Sequence, residues 1–265
     1  MIYYKTDDEI ELLRKSCLLV CSTLSEVASH IKPGITPKKL DKIAEAFIRD
    51  NDAIPGFLNY RGFPATLCIS RNEVVVHGIP DDKPVIAGDI LSIDCGVLMN
   101  DFYGDAAFTF AVGEPDLEVQ ELMRQTRESL RLGIEQAVPG NRIGDIGYAI
   151  QQHTENEHKY GVVRELVGHG LGRSLHEEPE VPNYGKKGRG PKIRKGLVIA
   201  IEPMINLGTK HIKQDKDGWT IRTRDNKPSA HFEHSIAVRE NGADILSDHN
   251  IIEDAVKNNS ELLFI

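Results

Sequence analysis

The chain has 265 residues, 40% of them hydrophobic, enough to bury a substantial core as one large domain or two small ones. Its 32 basic and 40 acidic residues leave a formal net charge of -8, which argues against DNA or nucleic acid in general as a partner. No apolar run approaches the ~20 residues that span a bilayer, no secretory signal opens the sequence, and four cysteines show no CxxC pair or disulfide rhythm, so a reducing cytoplasm and no membrane role are expected.

Residues 7–31 set Ile10, Leu13, Cys17, Leu24, Val27 and Ile31 at helical spacing, and Lys32-Pro-Gly34 ends that helix. Pro37 starts a second helix with Leu40, Ile43, Ala44 and Phe47 on one face. Glu73-Val-Val-Val-His77 then delivers a histidine. Gly88-Asp-Ile-Leu-Ser-Ile-Asp94 reads as a buried strand bearing one acid, a group that is expensive to bury unpaired. Asn100-Asp101 marks a hairpin, and Asp105 opens a further strand, Ala-Ala-Phe-Thr-Phe.

The plan then recurs. A helix is predicted from about Asp116 to Ala137, with Val119, Leu122, Leu130 and Ile134 along it. Val138-Pro-Gly140 stops it, and Asn141 is placed to cap a helix bearing Ile143, Ile146 and Ile150. Glu165-Leu-Val-Gly-His169 echoes the first histidine segment. Lys186 to Lys195 gathers six Lys or Arg among Gly and Pro; it reads as a solvated loop, with contact to ribosomal RNA as the sharper alternative. Gly196-Leu-Val-Ile-Ala-Ile-Glu202 repeats the first acid-bearing strand 108 positions later, and Glu233 opens His-Ser-Ile-Ala-Val. Two copies are too few for a solenoid. They suit one α+β domain over 1–265, built from pseudo-symmetric halves of about 1–113 and 114–265, with central strands and helices packed on one face. No exposed heptad or apolar stripe stands out, so a monomer is expected.

Asp94, Asp105, His169, Glu202 and Glu233 form a hard, oxygen-rich set of candidate ligands. Two like charges about 4 Å apart at an effective dielectric near 20 repel by roughly 4 kcal/mol, so four ionised acids cannot share a pocket without cations. Two divalent ions neutralise the set, which favours a dinuclear site; Co, Mn, Fe or Zn all suit it. Each residue has a blander reading: Asp94 as a strand-end residue, Asp105 as a turn acid, Glu233 as a partner of Arg222 or Arg224, and His169 as structural among the glycines of Gly168-His-Gly170-Leu-Gly172. Glu202 is harder to dismiss between Ile199-Ala-Ile201 and Pro203-Met-Ile205. No HExxH, GxSxG or Walker A pattern competes.

At these residues the sequence resembles the type I, bacterial-style methionine aminopeptidases. The matching segments are Asn72 to Pro80, Asp94 through Gly104-Asp105, Gly168 to Gly172, His176-Glu-Glu-Pro179, Ile201-Glu202-Pro-Met204, Asp217-Gly-Trp219-Thr220 and Glu233-His234, in family order over nearly the whole chain. The resemblance implies the pita-bread α+β fold, with a central antiparallel sheet covered by helices. It implies removal of N-terminal methionine from nascent polypeptides before a small second residue, by water activated at two divalent ions. It assigns Asp94, Asp105, His169, Glu202 and Glu233 as the metal ligands, with Glu202 also accepting a proton from the water. His77 matches a histidine near the scissile amide and His176 one that stabilises the carbonyl oxygen. Tyr60, Phe63, Cys68 and Trp219 match the methionine pocket; Asn72, Val74 and Ser229 match a Na or K site of some members. Leu175, Phe57 and Phe63 depart from the residues usual at those positions, which bears on pocket shape. The short interval from His169 to Glu202 leaves no room for the type II insertion. The enzymatic rival is an aminopeptidase P or prolidase, which usually carries an extra N-terminal domain. The non-enzymatic rival is a metal-free relative that binds RNA or protein, and such relatives tend to lose ligands.

Overall fold

The computed structural model describes residues 1–265. α1 (Asp7–His30) and α2 (Pro37–Asp50) precede β1 (Ile54–Pro55), β2 (Leu67–Arg71), β3 (Val74–Val76), β4 (Ile90–Met99) and β5 (Phe102–Val112). α3 (Leu117–Glu135) and α4 (Ile143–Gln151) follow, and α4 runs into a π-helical turn over Gln152–Glu157. Then come β6 (Gly161–Val162), β7 (Gly168–Gly170), β8 (Glu177–Val181), β9 (Val198–Ile201) and β10 (Met204–Asn206). β11 (Ile212–Gln214), β12 (Ile221–Thr223), β13 (Ser229–His231), β14 (His234–Arg239), β15 (Gly242–Ile245), α5 (His249–Asn258) and β16 (Leu262–Leu263) complete the chain. No helix is long and apolar enough to cross a membrane.

The strands pair antiparallel. β1, β2 and β5 flank β4, β16 extends β5, and a second sheet runs β15-β14-β9-β7-β8. The β4–β5 hairpin turns at Asn100 and Asp101, both in the left-handed region (φ 51° and 64°), as a two-residue hairpin of right-twisted strands requires. Alternation along this hairpin decides the layers. Ile93, Cys95, Ala106 and Phe108 point into the main core, while Cys68, Asp94, Gly96, Asp105 and Ala107 share the opposite face. α1 lies directly on β5: a Cβ at Gly104 would come 2.4 Å from the Ser16 backbone, so only glycine permits that approach.

Helix ends follow from their caps. Thr6 and Glu9 form a reciprocal capping box at α1, and Thr36 caps α2 ahead of Pro37. Asn141 does not cap α4. Arg142 is the N-cap and its backbone N–H is accepted by Asp145 at 2.7 Å, while the Asn141 amide donates to the Gln136 carbonyl that closes α3. Asp105 is likewise not a strand opener. β5 begins at Phe102, so Asp105 sits inside a continuous ladder opposite Gly96.

Candidate metal centre and its cavity

Asp94 and Asp105 face the same side of the hairpin on a diagonal, because Asp94 pairs with Ala107 and Asp105 with Gly96. The small partners leave space in front of both carboxylates. Glu202 follows β9 directly and Glu233 precedes β14, at the end where Ile201 pairs with His234. A seam locks these strand ends to the hairpin. Glu233 N–H donates to the Ala107 carbonyl at 3.0 Å, and Ser235 Oγ to the Asp105 carbonyl at 2.7 Å. Thr109 Oγ1 donates to the His231 carbonyl and accepts its N–H. His169, on β7, brings its Nε2 to 3.7 Å from Asp105 and 3.6 Å from Glu202. Its Nδ1 bonds the Gly170 carbonyl at 2.9 Å and must therefore carry the proton, which leaves Nε2 as a bare lone pair facing the acids.

The five side chains thus converge. The blander readings fail on position: Arg222 pairs with Glu73 and Asp215, and Glu233 is buried with no cation beside it. Oδ1 of Asp94, Oδ1 of Asp105 and Oε1 of Glu233 are buried without any hydrogen-bond partner. Burial pushes the Asp94 and Glu202 carboxyls up to about 7, and the neighbouring Glu202 charge adds to the rise at Asp94. Burial, reinforced by the other carboxylates, holds Asp105 and Glu233 well above the usual range. Orphaned acceptor oxygens, mutually repelling acids and a bare imidazole nitrogen form a donor set that fits divalent cations. Asp105, His169 and Glu233 offer ligand atoms that all lie within 4.8 Å of one another.

The set opens into a cavity of about 290 Å³ lined by Phe57, Tyr60, Phe63, Cys68, Leu175 and Trp219. Phe63 meets Trp219 edge-on at 5.2 Å. The Phe57 ring occupies the space over Gly96, where a Cβ would come 2.4 Å from Phe57 Cε1. Burial holds the Cys68 thiol far above its usual range, so it lines the wall as a neutral group. His77 and His176 reach the same cavity. Burial brings them down to about 4 and about 3, so both imidazoles are neutral near pH 7. Tyr60 Oη lies 2.9 Å from His176 Nδ1. Phe57, Phe63 and Leu175, the three departures noted above, are all buried wall residues.

Asn72 and Ser229 meet through Ser229 N–H to the Asn72 carbonyl at 2.9 Å, with Val74 two residues further on β3. Their side chains are already engaged: Asn72 with Asp89 and the Ile90 N–H, Ser229 with Asn206. Lys186, Lys187, Arg189, Lys192 and Arg194 lie exposed on the loop before β9, as a solvated segment would.

One residue at the centre escaped sequence reasoning. His231 is 1% exposed, its Nε2 lies 3.6 Å from Glu202 Oε2, and that nitrogen has no other partner. Its signal was faint: a histidine two residues before Glu233, which sequence pattern uses only to reject an HExxH motif.

The model of metallopeptidase family M24 matches residues 11–240 of the chain. A methionine aminopeptidase of Clostridium acetobutylicum is 48% identical over 93% of this chain and 99% of its own length. The crystal structure of methionine aminopeptidase from Rickettsia prowazekii superposes with a TM-score of 0.92 at 41% identity, covering 94% of this chain and all of that one. A prolidase of Pyrococcus horikoshii, at 22% identity and a TM-score of 0.75, shares the fold and covers only 63% of its own chain in the match. The architecture is the pita-bread α+β fold, and the chain belongs to metallopeptidase family M24, in its methionine aminopeptidase branch.

Proposed function

We propose that this protein hydrolyses the first peptide bond of nascent polypeptides and peptides that begin with methionine, preferring a small second residue. The observation that carries the reading is the convergence of Asp94, Asp105, His169, Glu202 and Glu233, three of them with orphaned oxygens, at the floor of an apolar cavity. These five residues would hold two divalent cations, of Co, Mn, Fe or Zn, whose four positive charges balance the four carboxylates. When bound, such ions supply Lewis acidity that polarises a carbonyl and acidifies water.

The chain's own groups do the rest. Glu202, at the floor of the cavity beside the other ligands, is placed to take a proton from the attacking water and return it to the leaving amine. His231 sets its unpartnered Nε2 3.6 Å from Glu202 Oε2, a polar neighbour beside the proton acceptor rather than a hydrogen bond to it. His176, accepting a hydrogen bond from the Tyr60 hydroxyl at Nδ1, presents Nε2–H to the carbonyl oxygen as charge develops there. His77 faces the scissile amide as a neutral imidazole. Phe57, Phe63, Cys68, Leu175 and Trp219 form a wall that suits the unbranched, polarisable side chain of methionine.

Within the same reading the chain acts as a monomer. Its basic 186–195 loop is a solvated segment whose charge offers ribosomal RNA a contact as the sharper alternative, and Asn72, Val74 and Ser229 hold Na or K at their strand junction. The test is hydrolysis of Met-Ala-Ser after dialysis and reloading with Mn or Co. Activity that a chelator abolishes is expected, together with no cleavage of X-Pro dipeptides. Cleavage of X-Pro instead, or none of Met-Ala-Ser in any metal, would overturn the assignment.

A further inference from the structure

A second group of metal-ligating side chains stands apart from the cavity. His153, Glu157 and His158 each offer one ligand atom, and these atoms lie within 4.8 Å of one another. None of the three lines the cavity of the candidate metal centre. They occupy the π-helical turn and its C-cap at the end of α4. A π turn advances by more than four residues, so positions four and five beyond His153 straddle its face, an arrangement a regular α-helix would spread apart.

The tautomer of His153 follows from its neighbours. The Gln125 amide nitrogen donates to Glu121 Oε1 at 2.7 Å, which fixes the orientation of that amide. Its oxygen, 2.7 Å from His153 Nε2, can only accept, so Nε2 carries the proton. Nδ1 of neutral His153 is then a bare lone pair, and it faces Glu157 Oε2 at 3.6 Å. That separation is too long for a hydrogen bond. It is close to the ~3.4 Å edge of a tetrahedron whose ligands sit 2.0–2.1 Å from zinc. The His158 ring lies 4.7 Å from the His153 ring, centroid to centroid, and completes the third corner. The Glu121–Gln125–His153 chain is the kind of outer hydrogen-bonded support that metal-binding histidines carry. Glu121 and Glu128 on α3 add negative potential toward the two imidazoles.

We propose that His153, Glu157 and His158 form a surface site for one borderline divalent cation, of the class of Zn, separate from the hydrolytic centre and left with an open position for water. Mixed imidazole and carboxylate ligands select this class over Mg or Ca.

The test is equilibrium dialysis of the full-length protein against Zn²⁺, with metal analysis, for wild type and for the His153→Ala, His158→Ala double variant. The double variant is expected to bind one Zn²⁺ fewer per chain, with kcat/KM on Met-Ala-Ser in the metal-loaded enzyme unchanged. Gln125→Leu, which removes the support of the tautomer, is expected to weaken the same equivalent about tenfold or more. A Zn²⁺ titration of the wild type followed by imidazole ¹⁵N resonances needs no variant. His153 Nδ1 is expected to shift on binding while its Nε2–H persists. Equal Zn²⁺ content in wild type and double variant, or unmoved His153 and His158 resonances at saturation, would overturn the site.

Discussion

The hairpin of the first half and the strand pair of the second half each bring two acids to the centre, and they hold them in different ways. Asp94 and Asp105 sit inside β4 and β5, with paired residues on both sides of each. Glu202 and Glu233 sit at the ends of β9 and β14, beyond the last ladder pair. The first pair is oriented by the pleat. The second is oriented by individual hydrogen bonds: Asn183 to the Glu202 carbonyl, and His249 to the Glu233 carbonyl. The histidine echoes diverge too. His77 takes a left-handed φ of 57° and turns toward Trp219, 6.2 Å away, whereas His169 stays in strand β7 and faces the acids. Repetition of a strand plan therefore did not repeat the chemistry. One half supplies a fixed wall of charge, the other a jointed wall on which a carboxylate has room to pass protons.

The sharpest break in this comparison comes from one amide on each wall. Glu202→Gln is expected to lower kcat by about 10³-fold while the protein stays folded, because it removes the proton acceptor from the jointed wall. Asp105→Asn is expected to lose turnover together with bound metal, because the fixed wall only holds charge. Glu202 is also one of the five proposed ligands, so turnover on Met-Ala-Ser per bound metal, read on the same samples, separates loss of the proton acceptor from loss of metal. Near-normal turnover in Glu202→Gln would remove its assigned role.

His231 lies between the two walls, near Asp94 as well as Glu202, and has no counterpart in the first half. His231→Leu keeps an apolar body but removes the polar nitrogen nearest Glu202 Oε2, and a loss of about 10–100-fold in kcat is expected. His231→Gln retains an amide N–H at a similar reach and is expected to restore kcat to within a few-fold. Equal losses in both variants would mean that His231 acts by packing.

The fixed wall also shapes the substrate pocket, through Gly96. Gly96→Ala would put a methyl group against Phe57 and drive that ring toward the cavity. Overpacking of this kind costs about 1–3 kcal/mol. KM for methionyl peptides is expected to rise about tenfold with kcat little changed, and steady-state kinetics would read the split.

Much of this arrangement was legible in the sequence because it rests on periodicity and on misplaced charge. The helices of 7–31 and 116–137, the Asn100-Asp101 turn and the two acid-bearing runs all emerge from patterns of apolar spacing. What stayed hidden depends on which of several available partners each residue takes in the folded chain. Asn141 is the residue that local pattern offers as the α4 cap, but its amide goes to the Gln136 carbonyl and Asp145 serves the helix start instead. The place of Asp105 within its strand was set by pairing to Gly96, which no local signal shows. His231 becomes visible only when β13 is zipped to Thr109 and its ring is brought beside Glu202.

The mildest prediction concerns the metal-free protein, where the two walls repel each other. In the unfolded chain carboxyls titrate near 4 and histidines near 6.5. Asp94 and Glu202 stay protonated in the folded state up to about 7, and Asp105 and Glu233 are also held well above the usual carboxylate range. Between those limits the folded state binds more protons than the unfolded one, so these acids make stability fall as pH rises. The buried histidines act in the opposite sense. His77, His176 and His234, lowered to about 4, 3 and 4, favour the folded state increasingly as pH climbs through 6.5, with only a small further gain above it. From pH 6.5 to 8 the acids dominate, and Tm of the metal-free protein is expected to drop by on the order of 5 °C. Divalent cations neutralise both walls at once, so loading the protein is expected to flatten that slope. Thermal melts at pH 6.5, 7.2 and 8 with and without chelator would read it; a metal-free protein equally stable across the window would mean that the walls do not share one field.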